Sequence, residues 1–230
     1  MTKKFIFIPV VNHFDLLQKA INSVPDFIFD KYYIINNSNN KKLSEIIDLK
    51  QFTIFDTSRA LTFIETQNIM REYAIKNNYD YYSFMHNDGE ILDDCPRRLI
   101  QYADEKISKN EKFGAIFTNY DVFCIYSTYC VKNIGMWGDS LWPEQKSGYL
   151  VDIDYYKRMN FSGYPTEYLP NVNVSHYLAN TIKDEKEKTI LDIQMPLVKI
   201  HYREKWGGDF GHETKNALND SKYNHHYAIL

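Results

Sequence analysis

The chain has 230 residues, of which 44% are hydrophobic and 25% charged, with a formal net charge of −3. That length buries a full core within one domain, and the slightly acidic balance excludes a general attraction to nucleic acid or anionic membrane. Aromatic residues are abundant, with 19 Tyr and 14 Phe against 9 Gly, so a groove that contacts sugars or bases is permitted but not established.

The three cysteines, Cys95, Cys124 and Cys130, are odd in number and lack metal-ligand spacing. They read as reduced thiols, and the expected setting is cytoplasmic. Lys3 and Lys4 precede an apolar run from Phe5 to Val11 that is too short for a secretory signal and is expected to be a first strand. No segment approaches the length that spans a bilayer.

After that strand, Asn12 and His13 form a polar turn, and Asp15 is expected to cap a helix with Leu16, Leu17, Ala20, Ile21 and Val24 on one face. Lys31 to Ile35 reads as a second strand, ending in the amide-rich loop Asn36-Asn37-Ser38-Asn39-Asn40. Phe52 to Phe55 is a third short strand, and Ser58 to Asn77 a weakly amphipathic helix. Tyr81 to Met85 is a buried strand that turns polar at His86-Asn87-Asp88-Gly89-Glu90.

Pro96 opens a further helix, Lys112 to Thr118 is a buried strand, and Tyr120 to Cys130 is its expected antiparallel partner. Asn133 to Leu150 reads as loop, and Asp152 begins a helix that closes near Asn160. Tyr164 to Tyr177 is irregular or β, Asn180 to Lys188 a charged run, and Leu197 to Tyr202 a last short strand. The expected division is one catalytic domain over residues 1–202 and a polar tail over 203–230, on or near the active site. Strands alternating with helices predict an α/β fold with a mixed, mainly parallel sheet flanked by helices.

In such a sheet, ligands bind outside the carboxyl ends of the strands. A carboxylate there suits a hard divalent cation holding phosphate oxygens, although a strand followed by a plain polar turn looks the same. Three stretches decide the reading: KFIFIPVVNHFDLLQKAINSV, TQNIMREYAIKNNYDYYSFMHNDGE and IGMWGDSLWPEQKSGYLVDIDYYKRMNFSGY. In that order they resemble the opening strand and helix, the DXD-type motif, and the acceptor loop with ED-type helix of GT-A glycosyltransferases. The family-2 type is the nearest likeness, and it covers Phe5 to Tyr164.

The resemblance implies a Rossmann-like nucleotide-diphospho-sugar transferase with a UDP-sugar as favoured donor. Pro9, Val10, Asn12, Asn36 and Ser38 would border the base and ribose, with Asn68, Asn87, Asp88 and Lys205 also on the donor side. Asp88 would hold Mn²⁺ or Mg²⁺, and His201 would be a second ligand if it is not simply a histidine at a strand end. Asp152 would be the general base of an inverting transfer, unless it only caps its helix; Asp154 is a rival. Trp137, Asp139 and Trp142 would meet the acceptor, or the tryptophans would pin their loop to the core. The implied acceptor is a glycan or lipopolysaccharide sugar, with a hydroxylated base in nucleic acid or a protein side chain as alternatives.

The chain departs from the family's pattern at Asn36 or Asn37, where an Asp is usual, at His86 in place of the first DXD acid, and at Val151 before Asp152. These departures keep a catalytically idle sugar-nucleotide-binding relative open. A nucleotidyltransferase shares the sheet and the acidic site, but would show a glycine-rich basic loop where PVVNHF stands.

Overall fold

In the computed structural model, the described residues are 2–38, 40, 42–138, 148–177 and 185–215. The first half runs β1 (Lys4–Val10), α1 (Phe14–Ser23), β2 (Lys31–Asn36), β3 (Thr53–Asp56), α2 (Phe63–Lys76), β4 (Tyr81–Met85), β5 (Gly89–Ile91) and α3 (Cys95–Ser108). The second half runs β6 (Ala115–Thr118), β7 (Tyr120–Ser127), α4 (Thr128–Ile134), α5 (Val151–Phe161), β8 (Thr166–Tyr168), β9 (Val174–His176) and α6 (Glu185–Trp206).

Seven strands form one sheet in the order β3-β2-β1-β4-β7-β6-β8. Neighbours pair in parallel, except β7, which is antiparallel to both β4 and β6. The period of two in β1 explains how the sheet is covered on both faces. Ile6 and Ile8 point to a core completed by Leu17, Ile21 and Leu99, while Phe5 and Phe7 point to a second core with Tyr82, Phe84, Tyr126 and Tyr155. Phe7 is fully buried, so truncation to Ala costs about 3–5 kcal/mol.

Local chemistry sets several boundaries. A capping box of Thr62 and Glu65 starts α2, so residues from Ser58 to Leu61 stay outside the helix. At α1 the N-cap is His13 in a left-handed conformation, not Asp15, which sits in the first turn. Beyond Ser127 the expected strand gives way to α4, because Ser127 caps a helix by accepting from the Cys130 amide.

The largest departure lies at the C-terminal end. Leu197 to Tyr202 is not a strand but part of α6, whose Val198, Tyr202 and Trp206 recur every four residues and are buried. Helix α6 runs on to Trp206, and residues 207–215 fold back on the helix end. The amides of Thr214 and Lys215 donate to the Trp206 carbonyl, at 3.0 and 2.9 Å, and the Tyr202 hydroxyl donates to Glu213 Oε1 at 2.6 Å. Among the described residues, no helix is long and apolar enough to cross a membrane. The cysteines Cys95, Cys124 and Cys130 are buried free thiols.

Candidate active site at the carboxyl ends of the strands

The end of β4 leads into His86, Asn87 and Asp88, and β5 then pairs antiparallel with β9. The register sets His176 opposite Gly89, which brings its Nε2 to 3.3 Å from Asp88 Oδ1. The Tyr177 amide donates to the Asp88 carbonyl at 2.9 Å, fixing the turn from the other side. Gly89 is required by space: a Cβ there would lie 2.8 Å from Val122 Cγ1 of β7. The small β5–β9 ribbon is thus the device that joins two chain segments far apart in sequence.

His86, Asp88 and His176 offer ligand atoms that all lie within 4.8 Å of one another. The Nε2 of His86 is buried without a hydrogen-bond partner, with Asp121 Oδ1 at 3.8 Å, an ion-pair distance too long for a hydrogen bond. Two imidazoles, one carboxylate and an orphaned buried nitrogen fit a divalent transition ion better than Mg²⁺, which prefers an all-oxygen shell. His201 sits on α6 and is not one of the three residues of this group.

Asp121, at the start of β7, links this group to α5. Its Oδ2 accepts from the Tyr156 hydroxyl at 3.0 Å, and that hydroxyl lies 2.9 Å from the Tyr126 hydroxyl. Burial pushes Asp121 up, but His86 and Tyr156 outweigh it and hold the carboxyl below its usual range. For His86, burial opposes the charge, yet Asp121, Asp88 and Asp152 outweigh it and raise the pKa. Asp88 is lowered because His176 and His86 outweigh its own burial.

Asp152 stands in the first turn of α5. Burial, then the negative charge of Asp121, pushes its carboxyl up to about 7, against the backbone amides at the helix start and the positive pull of His86. Asp88 and Asp152 both help to raise His86, and Tyr156, one turn along α5 from Asp152, bonds the Asp121 carboxylate that stands 3.8 Å from His86.

Two positions on, Asp154 points the other way. Its Oδ1 accepts from Lys205 Nζ at 2.6 Å and Trp206 Nε1 at 2.8 Å, and its Oδ2 accepts from Arg158 Nε at 3.1 Å. Lys205 is fully buried in that network, paired with Asp154. The side chain of Asn68 is likewise committed: it donates to the Trp137 carbonyl and accepts from the Trp137 amide, at 3.1 and 2.8 Å. Trp137 itself is 2% exposed and stacks on Tyr155 at 4.0 Å, with Tyr126 and Phe63 edge-on. It pins its loop to the core. Asp139 and Trp142 lie outside the described residues.

On the far side, Pro9 and Val10 end β1, and Asn87 Nδ2 donates to the Asn12 carbonyl at 3.0 Å, tying the ends of β1 and β4 together. Asn12 Oδ1 is buried without a hydrogen-bond partner. Asn36 is wholly buried; its Nδ2 donates to Asp56 Oδ1 at 2.7 Å, while Ser38 Oγ donates to Asn36 Oδ1. Asp56, exposed at the end of β3, thus sets a carboxylate beside Asn36 at the end of β2. Sequence reasoning missed Asp56, Asp121 and His176. The alternation Val172, Val174, His176 was the one signal for the last.

Strand order, a single antiparallel strand inside a parallel sheet and polar strand ends together define a GT-A fold. No family model matches the sequence, and no curated protein matches it. Among solved structures the chain is similar to S. aureus TarS 1–349 in complex with UDP-GlcNAc, with a TM-score of 0.55 and 11% identity over 94% of this chain and 69% of that one. It is also similar to GalNAc-T7 with UDP, GalNAc and Mn²⁺, with a TM-score of 0.58 and 9% identity over 98% of this chain and 55% of that one. At such identities the likeness is one of fold.

Proposed function

We propose that the protein is an inverting glycosyltransferase that moves a sugar from a UDP-sugar to an acceptor hydroxyl. The observation that carries this reading is the group of His86, Asp88 and His176 at the carboxyl ends of the strands, with Asp121 beside His86 and bonded to Tyr156 of α5, the helix on which Asp152 is raised to about 7. Both similar structures bind uridine nucleotides, and one of them holds Mn²⁺, which supports the donor class and the cation.

Asp152 takes the proton from the acceptor hydroxyl as it attacks the anomeric carbon, and a single displacement inverts the configuration there. His86, Asp88 and His176 would hold the divalent ion, Mn²⁺ in preference to Mg²⁺; when bound it supplies Lewis-acid neutralisation of the departing diphosphate. Pro9, Val10, Asn12 and Asn87 border the donor, and Asp56, braced by Asn36 and Ser38, accepts hydrogen bonds from base or ribose. The three buried thiols fit a cytoplasmic setting.

The test is a panel of UDP-sugars incubated with wild type and Asp152→Asn, with released UDP as the readout. Turnover of at least one donor by wild type, slowed about 100-fold or more in the variant, is expected. Absence of UDP release from every donor contradicts the proposal.

A further inference from the structure

The turn between β6 and β7 carries a feature that the donor site does not use. The β6–β7 pairing is irregular after Phe117, and Tyr120 adopts φ 59°, a left-handed conformation disfavoured for a bulky side chain. Its ring is 74% exposed, so no core packing holds it in that conformation. Backbone strain of this kind gathers at functional sites.

A second exposed tyrosine stands across β6 from it. Tyr168 ends β8, pairs with Phe117 in the sheet and is 63% exposed. Its ring rests against Phe117 at 5.3 Å, and Phe117 in turn meets Tyr156 at 4.7 Å. Tyr156 is the residue whose hydroxyl holds Asp121. The two open phenol rings thus stand on β7 and β8, the strands on either side of β6: Tyr120 adjoins the partly exposed Asp121 in the chain, and Tyr168 is linked to that carboxylate through Phe117 and Tyr156 of α5, the helix that carries Asp152. Single exposed tyrosines are ordinary, but one held in a left-handed conformation next to a carboxylate of the site is not.

Resting on the glycosyltransferase reading, we propose that Tyr120 and Tyr168 form the acceptor shelf, and that the acceptor is a pyranose of a glycan. The apolar C–H face of the ring stacks on the phenols, and a ring hydroxyl donates to Asp121. Orientation of that kind presents a neighbouring hydroxyl to Asp152. A nucleic-acid acceptor is disfavoured, because Asp121 and Asp152 would face its phosphates.

The test uses the full chain with Mn²⁺, a panel of methyl pyranosides and short oligosaccharides, and single-stranded DNA and RNA oligonucleotides. Wild type is compared with Tyr120→Ala, Tyr168→Ala, the double variant and Tyr120→Gly. Saturation-transfer NMR is expected to show contacts to sugar C–H protons in wild type. The double variant is expected to lose about tenfold or more in kcat/KM for the acceptor, the scale of two aromatic contacts. UDP binding and donor hydrolysis stay unchanged in every variant, because water needs no shelf. Tyr120→Gly should be more stable than wild type while sharing the acceptor defect, which separates binding from folding. Equal transfer by the double variant, no contact with any sugar of the panel, or transfer to oligonucleotides alone overturns the shelf while leaving donor hydrolysis intact. Loss of donor binding and hydrolysis in wild type instead removes the reading beneath it.

Discussion

Helix α5 carries two aspartates with opposite fates, and their contrast separates scaffold from chemistry. Asp154 is fully buried, and both of its oxygens are engaged by Lys205, Trp206 and Arg158. The guanidinium of Arg158 also donates to the carbonyls of Ile134 and Met136, so α4, α5 and α6 are joined through one carboxylate. Asp152, by contrast, is pushed up by burial and by Asp121, with the amides at the helix start and His86 opposing them. Buried charges that are fully paired hold a structure together. Charges left in excess at a cleft are the ones that bind cations and move protons.

Substitutions at the two positions should therefore fail differently. The largest effect is expected from Asp152→Asn, which lowers sugar transfer by about 10²–10⁴-fold while the thermal transition is kept. Asp154→Ala should do the reverse: it strands Lys205 and Arg158 in the core and costs about 3–5 kcal/mol of stability, measured by urea denaturation. Should the two variants instead show the same loss of stability, the division between them would be wrong.

The next effect is in pH. Because Asp152 is raised to about 7, folding favours its neutral form. The stability it contributes is present in acid and is lost as the pH climbs from the ordinary carboxylate range through about 7. Asp152→Asn stays neutral, so its stability should match wild type in acid and exceed it at alkaline pH. Transfer should have a limb on which the rate rises with pH as Asp152 ionises, and a cation bound at Asp88 shifts that limb to lower pH.

A smaller, sharper effect is expected at His176. Saturating Mn²⁺ should stabilise wild type by about 2.7 kcal/mol at about a hundredfold excess over Kd, and this gain should vanish in His176→Ala. His201→Ala, on α6, should retain it.

The alternation of strands and helices was legible because β1, β2 and β4 are covered on both faces and read as apolar runs, and Asp88 and Asp152 follow from the ends of such elements. Asp121 was not legible, since its direction depends on a pairing irregularity that leaves no local pattern. His176 reaches Asp88 only through two three-residue strands separated in sequence by residues 92–173. The segment from Leu197 to Tyr202 misleads because Val198, Ile200 and Tyr202 alternate as in a strand, whereas the buried set is Val198, Tyr202 and Trp206. Helical spacing wins there because Trp206 has a hydrogen-bond acceptor in Asp154 that no single stretch of sequence reveals.

The account stands on one pocket serving both the nucleotide and the cation. Calorimetric titration of UDP, with and without Mn²⁺, into wild type and Asp88→Ala tests this most directly. UDP should bind wild type more tightly when Mn²⁺ is present, and Asp88→Ala should lose that enhancement. Binding of UDP that is indifferent to Mn²⁺ in wild type, or an enhancement that survives in Asp88→Ala, would contradict it.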